Sequence, residues 1–572
     1  MKYEKQILEA FDYLEMKPRK NQVEYINKAV EAFIDRKKKY VVLNASTGTG
    51  KSIIGAVISY VINGIKKSKL SSIILMHNNA LTKQYYDTFS KFDPSEFVQL
   101  KGANNYKCTA LSYTEKDKGT DEVISAEHCA YVKLKKSGLS EIVDKHCKNC
   151  EYKKIKELKN VSSNVITNFS YYFVDRQFSG VFEQRDIVIW DEAHTINDAF
   201  CEHNAIFFSK ERLLKFYEEI SNNLKFNNLD VFKALKKVQK GLEEKLINDS
   251  NYKDYLKILS AVYDSVYEQA TTLCENSGYD MEKYTKYSKL AKKYFGLGCK
   301  IGDLLAYNYE HVFEFNEKEL EATVKPIFIG KMFEETLINS SYNLFMSATI
   351  SKEYLTETLQ LKDEDVEFIL VPPSFPKENK HIIFYKLQNL NYNSMKDQNV
   401  LNKLSANVKE LVRIHNSEFG ENGIILTPSF ALNELIANAV RSLDIPIKVF
   451  EHTRGMKADE IIGRFKSSKE LGVLISPSIY EGVDLPGDFS RYQIIVKAPF
   501  PSLAEKRMKY ILENHPNIYN LLTIQKLVQG GGRSVRSEDD YAVTYFLDMN
   551  AKRVFSSHLN VWKDEFSIST SN

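Results

Sequence analysis

Eight residues near the start of the chain, Ala45-Ser46-Thr47-Gly48-Thr49-Gly50-Lys51-Ser52, have the composition of a phosphate cradle. The apolar run YVVLNA (40–45) leads into them, and an apolar helical pattern leads out. The spacing is that of Gly-x-x-x-x-Gly-Lys-Ser/Thr, with Ala45 where the first glycine usually stands. Backbone N–H groups from Thr47 through Gly48, Thr49, Gly50 and Lys51 to Ser52 would cradle a β-phosphate at a helix N-terminus, where the helix dipole also favours an anion. Lys51 would reach the β- and γ-phosphates, and the Ser52 hydroxyl would ligate Mg2+.

A second set of chemically able residues follows another apolar run. Ile187, Val188, Ile189 and Trp190 end in Asp191-Glu192-Ala193-His194. In an open α/β sheet, a carboxylate at the carboxyl end of a parallel strand lies beside the phosphate loop. Asp191 would then hold the Mg2+ shell, and Glu192 would orient and deprotonate the attacking water. The tetrapeptide alone is a weak sign. After an apolar strand, and together with the loop at 45–52, it is a strong one.

These residues need sheets to hold them, and the chain supplies candidates. Strands are expected at 40–45, 72–77, 186–193 and 342–349, and a second group at 423–429, 472–478, 491–499 and 541–548. Two groups of Val- and Ile-rich runs alternating with helical patterns predict two α/β domains with parallel sheets. Between them, residues 202–315 show charged and apolar residues at helical spacing, with aromatics and lysines interleaved; a helical insertion with its own aromatic core is expected. The segment 101–158 reads as another insertion, rich in lysine and cysteine.

The chain has 572 residues, enough for roughly three to four domains. Its 43% hydrophobic and 12% aromatic content exclude global disorder. With 78 Lys+Arg against 75 Asp+Glu, nucleic-acid affinity must come from local grooves rather than bulk charge. The N-terminus, MKYEKQILEAFDYLEMK, lacks an apolar h-region, so no secretory signal is expected. The longest apolar-looking stretch, Ile53 to Ile65, falls short of the ~20 residues that span a bilayer. Seven cysteines without an export signal argue against a disulfide framework. A soluble, intracellular, cytoplasmic protein of bacterial or phage origin is expected, with no membrane partner.

In combination, these motifs resemble those of superfamily 2 helicases. Arg19 and Gln22 resemble the adenine-contacting element before the first strand, and Ser347-Ala348-Thr349 the motif that couples hydrolysis to movement. Residues 480–487, Tyr480 to Gly487 with Asp484 among them, resemble the fifth motif of the XPD/DinG branch. Gln529-Gly530-Gly531-Gly532-Arg533-Ser534-Val535-Arg536 has the Gln-x-x-Gly-Arg-x-x-Arg pattern of the sixth. The resemblance spans about 19–548. It implies two RecA-like parallel-sheet motor domains carrying a cysteine-rich metal-domain insertion and a helical arch. On that reading motor domain 1 occupies 1–100, 161–200 and 326–378, the metal domain 101–160, the arch 201–325, and motor domain 2 379–572.

The same resemblance implies ATP and Mg2+ as cofactors, and Gln529, Arg533 and Arg536 reaching across a cleft to the γ-phosphate. Three-residue spacing would put both arginines on one helical face; arginines of this kind contribute ~10³–10⁵ in rate. Cys108, Cys129, Cys147 and Cys150 match the family's cluster ligands in order, with Glu151 in place of the usual proline. Four thiolates suit a 4Fe–4S cluster or, equally on geometry, Zn2+, for which His128 and His146 are further ligand candidates, and cysteines that hold no metal are the third reading; the insertion point favours iron–sulfur. The function implied is ATP-dependent unwinding of DNA, with 5′→3′ movement on single strands and forked or tailed duplexes as substrates. A monomer without a nuclease domain is expected. An RNA-directed or duplex-translocating motor, and a nucleotide-switched DNA-binding scaffold, are the alternatives.

Overall fold

Runs of Val, Ile and Leu that are apolar at every position, not at alternate ones, require burial on both faces. All eight runs read from the sequence are strands in the computed structural model. The structure describes residues 1–572 except 20, 47, 68–70, 92–95, 109–124, 127–146, 149, 180–181, 183, 225, 278–279, 307–309, 331, 339, 481–484, 532–533, 536, 538, 559–561, 563 and 572, and the backbone only of 281, 282 and 285. Thr47, Cys129, Asp484, Arg533 and Arg536, together with His128 and His146, lie outside the described residues.

In chain order the strands of the first half are β1 (Tyr40–Ala45), β2 (Ser72–Met76), β3 (Phe97–Gln99), β4 (Asn164–Asn168), β5 (Arg185–Asp191), β6 (Ile206–Ser209), β7 (His311–Asn316), β8 (Glu321–Pro326), β9 (Ser340–Ser347) and β10 (Val366–Val371). Seven of them make one sheet in the order β10-β1-β9-β5-β2-β4-β3, every pairing parallel. Register matters for function here. Asn44 lies opposite Ser347, and Asp191 opposite Met346, so the carboxyl ends of β1, β9 and β5 line up. Helices Gln22–Ile34 and Lys51–Lys66 cover one face of the sheet. The other face buries Trp190, whose ring lies within 5.5–6.2 Å of Phe169, Tyr172, Phe333 and Phe345. Burying a side chain of that size stabilises by about 3 kcal/mol, and it holds the end of β5 in place.

The second sheet comprises β11 (Lys380–Gln388), β12 (Gly423–Leu426), β13 (Lys448–Glu451), β14 (Gly472–Ser476), β15 (Tyr492–Ile495), β16 (Ala542–Asp548) and β17 (Ser567–Ser571). Its order is β13-β14-β12-β15-β16-β11-β17, again all parallel. The molecule is therefore α/β, with two parallel-sheet RecA-like domains. They interlock: helices Lys506–Asn514 and Pro516–Gly531 insert Met508, Ile511, Ile518 and Tyr519 into the apolar core of the first sheet.

The stretch after β5 has a separate core, as the sequence suggests. Phe216, Tyr294, Leu256 and Val262 pack between helices Lys210–Leu224, Leu229–Glu243, Tyr252–Glu275 and Met281–Ala306. It is not wholly helical, because an antiparallel sheet in the order β6-β8-β7 closes its base. Those strands are short and half-exposed, so their apolar content is too thin to stand out from the helical pattern. Among the described residues, no helix is long and apolar enough to cross a membrane.

The helix carrying Gln529 ends at Gly531, and Ser534 and Val535 beyond it are not helical. Consecutive glycines, each costing ~1 kcal/mol in a helix interior, account for the stop.

Candidate active site

The loop between β1 and helix Lys51–Lys66 turns through Gly48 (φ +85°) and Gly50 (φ +79°), left-handed conformations that glycine adopts without strain. A Cβ at Gly48 would also stand 2.5 Å from the Phe375 ring. Other residues lock the loop from below. Thr49 Oγ1 donates to the Ser46 carbonyl (2.8 Å), and Gln22 Nε2 donates to the Thr49 carbonyl (2.8 Å). Arg19 Nη1 donates to the Gly48 carbonyl, while its backbone N–H donates to Gln22 Oε1 (2.8 Å). Arg19 and Gln22 thus brace the loop and also line a cavity of about 410 Å³, shared with Tyr25, Pro373, Phe375 and Ser537.

Lys51 Nζ stands 3.5 Å from Glu192 Oε1, which joins the loop to the end of β5. Glu192 has φ +52°, a sparsely populated conformation for a non-glycine residue and one that concentrates at functional sites. Its backbone N–H donates to Asp191 Oδ1 (3.0 Å). The two carboxyls differ sharply. Burial, with Glu192's charge next, pushes Asp191 up to about 7. Burial also pushes Glu192 upward, but Lys51 and His194 outweigh it and leave its pKa lowered. Glu192 Oε2 is buried and makes no hydrogen bond.

His194 connects this pair to the rest of the molecule. Its Nδ1 lies 3.4 Å from Glu192 Oε2 and hydrogen-bonds Ser347 Oγ at 2.9 Å. On the opposite side, Gln529 Nε2 lies 2.9 Å from His194 Nε2, within hydrogen-bond distance. Ser347 Oγ also accepts from the Thr349 N–H (3.1 Å). One imidazole therefore touches the carboxylate, the end of β9 and a helix of the second half.

These groups fit Mg2+ and a nucleotide: a loop rich in N–H groups, a lysine, a buried carboxyl whose charge a cation would relieve, and an adjoining cavity. Ser52 lies in the first turn of the helix beside them, its carbonyl accepting from Tyr85 OH (2.9 Å). Of the sequence-derived candidates, Arg19, Gln22, Gly48, Thr49, Gly50, Lys51, Ser52, Asp191, Glu192 and Gln529 converge here. Sequence reading missed Phe375, Tyr85 and Glu565, the last of which accepts a hydrogen bond from Ser46 Oγ; no motif marks them.

A larger cavity, about 500 Å³, opens between the two sheets on the other side of His194, bordered by His77, Ser478, Tyr480, Phe500 and Lys526. Cys108, Cys147 and Cys150 are buried. Tyr106 and Tyr152, flanking the two ends of the cysteine segment, pack at 5.5 Å. Among the described residues, no three His, Cys, Asp or Glu side chains form a metal-holding group.

Two parallel-sheet domains enclosing a phosphate loop and a carboxylate pair define a nucleotide-driven motor. Comparison with known proteins narrows the class. Residues 15–232 match the family described as the res subunit of type III restriction enzymes, and 411–563 match the helicase C-terminal domain family. A probable ATP-dependent helicase of Methanocaldococcus jannaschii is 23% identical, the alignment covering 96% of this chain and 94% of that one. The ATP-dependent DNA helicase YoaA of Escherichia coli is 21% identical over 93% of this chain and 91% of its own. A solved XPD helicase shares the fold with a TM-score of 0.62 at 16% identity, over 97% of this chain and 100% of that one. An Xpd structure from S. tokodaii gives 0.57 at 14% identity, over 96% and 100%. Along nearly its whole length the chain is similar to the XPD/DinG-type helicases of superfamily 2, and its matched domains and relatives make it an ATP-hydrolysing helicase.

Proposed function

We propose that this helicase acts on DNA, moving 5′→3′ along a single strand and separating duplexes with forked or tailed ends. The observation that carries the reading is the His194 contact set, which joins Glu192 to Ser347 and to Gln529 on the second half. A change at the γ-phosphate that moves Glu192 must disturb groups on both sides of the cleft. The larger cavity offers His77, Lys526, Tyr480 and Phe500 to a strand crossing both domains, as phosphate contacts and stacking surfaces.

In this mechanism Arg19 and Gln22 hold the adenine end and the loop through Thr47 holds the phosphates. Lys51 moves from Glu192 to the β- and γ-phosphates. Ser52 and Asp191 hold Mg2+, which when bound neutralises phosphate charge. Glu192, kept ionised by Lys51 and His194, takes the proton of the attacking water. Arg533 and Arg536, with Gln529, stabilise the transferring phosphoryl group, and Asp484 contributes from the second domain. Cys108, Cys129, Cys147 and Cys150 hold a 4Fe–4S cluster in a domain that guides the strand. The proposed domain organisation is the one given above, working as a monomer inside the cell. Strand displacement from 5′-tailed and 3′-tailed forks tests the reading. Unwinding of the 5′-tailed fork alone is expected; unwinding of the 3′-tailed fork alone would reverse the polarity, and no ATP-dependent displacement of either would remove the activity.

A further inference from the structure

A carboxylate beside a phosphate loop is electrostatically out of place, because the ligand of that loop is an anion. Glu565 occupies such a position. It comes from the second domain, two residues before β17, and it is buried with its side chain 10% exposed. Its Oε2 accepts from Ser46 Oγ in the first domain, and its Oε1 accepts from Lys380 Nζ. Lys380, the first residue of β11, has a side chain only 1% exposed. The pair is thus close to neutral, and Glu565 can serve as an acceptor without a net charge that repels phosphates.

Ser46 is well placed to pass this contact on. Its carbonyl accepts from both Thr49 N–H (3.3 Å) and Thr49 Oγ1 (2.8 Å), and the Thr49 carbonyl is held by Gln22. Fixing the Ser46 side chain therefore fixes the turn that presents the N–H groups. The segment bearing Glu565 is anchored in turn. Trp562 lies 4.1 Å from the Phe555 ring, its Nε1 donates to the Phe555 carbonyl (3.0 Å), and Glu565 N–H donates to the Trp562 carbonyl (2.9 Å).

We propose that Glu565 is a positioning residue for the nucleotide. Through Ser46 it sets the shape of the phosphate loop from the opposite domain, so that phosphate affinity depends on the second domain being in place. Lys380 is the counter-charge that permits a carboxylate there. This rests on the loop binding the nucleotide phosphates, as proposed above.

The test measures fluorescent ADP binding, and separately kcat and KM for ATP, in the full chain carrying Ser46→Ala, Glu565→Gln or both. The hydrogen bond to a charged group is lost in Ser46→Ala and reduced to a neutral one in Glu565→Gln, so ADP affinity and 1/KM should fall, about tenfold in Ser46→Ala, with kcat changed far less. The double variant should be no worse than the worse single, because both act on one and the same contact. Glu565→Gln removes the counter-charge of a buried lysine and can lower the melting temperature; Ser46→Ala removes one donor from Glu565 but keeps the Glu565–Lys380 pair, which keeps the test decisive. An unchanged ADP affinity in Ser46→Ala, or effects that multiply in the double variant, would overturn the proposal. Lys51→Ala separates the two readings. If the chain hydrolyses no ATP while the binding cycle is non-additive, the motor reading fails and the role of Glu565 stands. If Lys51→Ala abolishes turnover and the cycle is additive, the reverse holds.

Discussion

Lys51 and Glu192, 3.5 Å apart, are the pair on which turnover depends, and neither belongs to the apolar core. Lys51→Ala should abolish phosphate release from ATP while leaving the thermal unfolding profile unchanged, since the ammonium serves the phosphates rather than the packing. Glu192→Gln should still bind ADP but lose about 10²–10⁴ in kcat, the usual contribution of a general base. Normal hydrolysis by either variant would sink the assignment. At this scale the motif residues were legible, because a phosphate loop and a water-activating carboxylate need particular side chains in a particular order. The partners of His194 were not. Ser347 and Gln529 are each 153 or more residues away in sequence, and only the fold brings them to one imidazole.

Helix Lys506–Asn514 shows what an element does that no motif announces. Its Arg507 side chain is 2% exposed, donates to the Ile327 carbonyl through Nε (3.0 Å) and Nη2 (2.9 Å), and meets Asp198 at 2.8 Å. Arg507→Ala should cost about 2–4 kcal/mol in denaturant unfolding, since it leaves a buried carbonyl without its donor. The same element scale governs the root of the arch, where His203 Nε2 meets Gln177 Oε1 (2.8 Å) at the end of helix Ile196–His203. Burial, with the charge of Lys300 next, lowers its pKa from 6.5 to about 3. A histidine whose folded pKa is depressed contributes stability above pH 6.5 that is lost as pH falls towards 3. Between pH 6.5 and 4.5 the native chain should lose about 2–3 kcal/mol more than His203→Gln, at ~1.4 kcal/mol per pH unit. Equal losses in urea titrations at the two pH values would rule this out. The eight principal strands were legible as apolar runs. The polar edge strand β17 and the half-exposed strands at the base of the arch were not, for they carry no continuous apolar signal.

Taken as a whole, the molecule separates its ATP site from its cysteine segment, since the phosphate loop and the carboxylates lie outside 101–160. Anaerobically purified protein should be brown and hold about four iron atoms per chain. Changing any one of Cys108, Cys129, Cys147 and Cys150 to Ser should bleach it and remove order around 100–160, because metal binding there supplies folding energy. ATPase should persist in those variants while strand displacement fails. Stoichiometric zinc without iron would overturn the cluster, and unwinding that survives loss of all four cysteines would take the segment out of the mechanism.

By itself the sequence determined the class of chemistry and the two-sheet architecture. Both depend on short-range constraints: loop spacing, a strand ending in carboxylates, and apolar runs that only a buried parallel sheet accommodates. Tertiary structure alone decided which groups meet across the cleft. It set His194 between Glu192 and Gln529, gave Ser46 its acceptor in Glu565, and sent helices Lys506–Asn514 and Pro516–Gly531 into the first sheet's core. It also ended the Gln529 helix at Gly531. The physical reason is range. A local pattern records what each segment must bury or cradle, whereas contacts between segments hundreds of residues apart depend on how the covered sheet faces pack together, which no local pattern encodes.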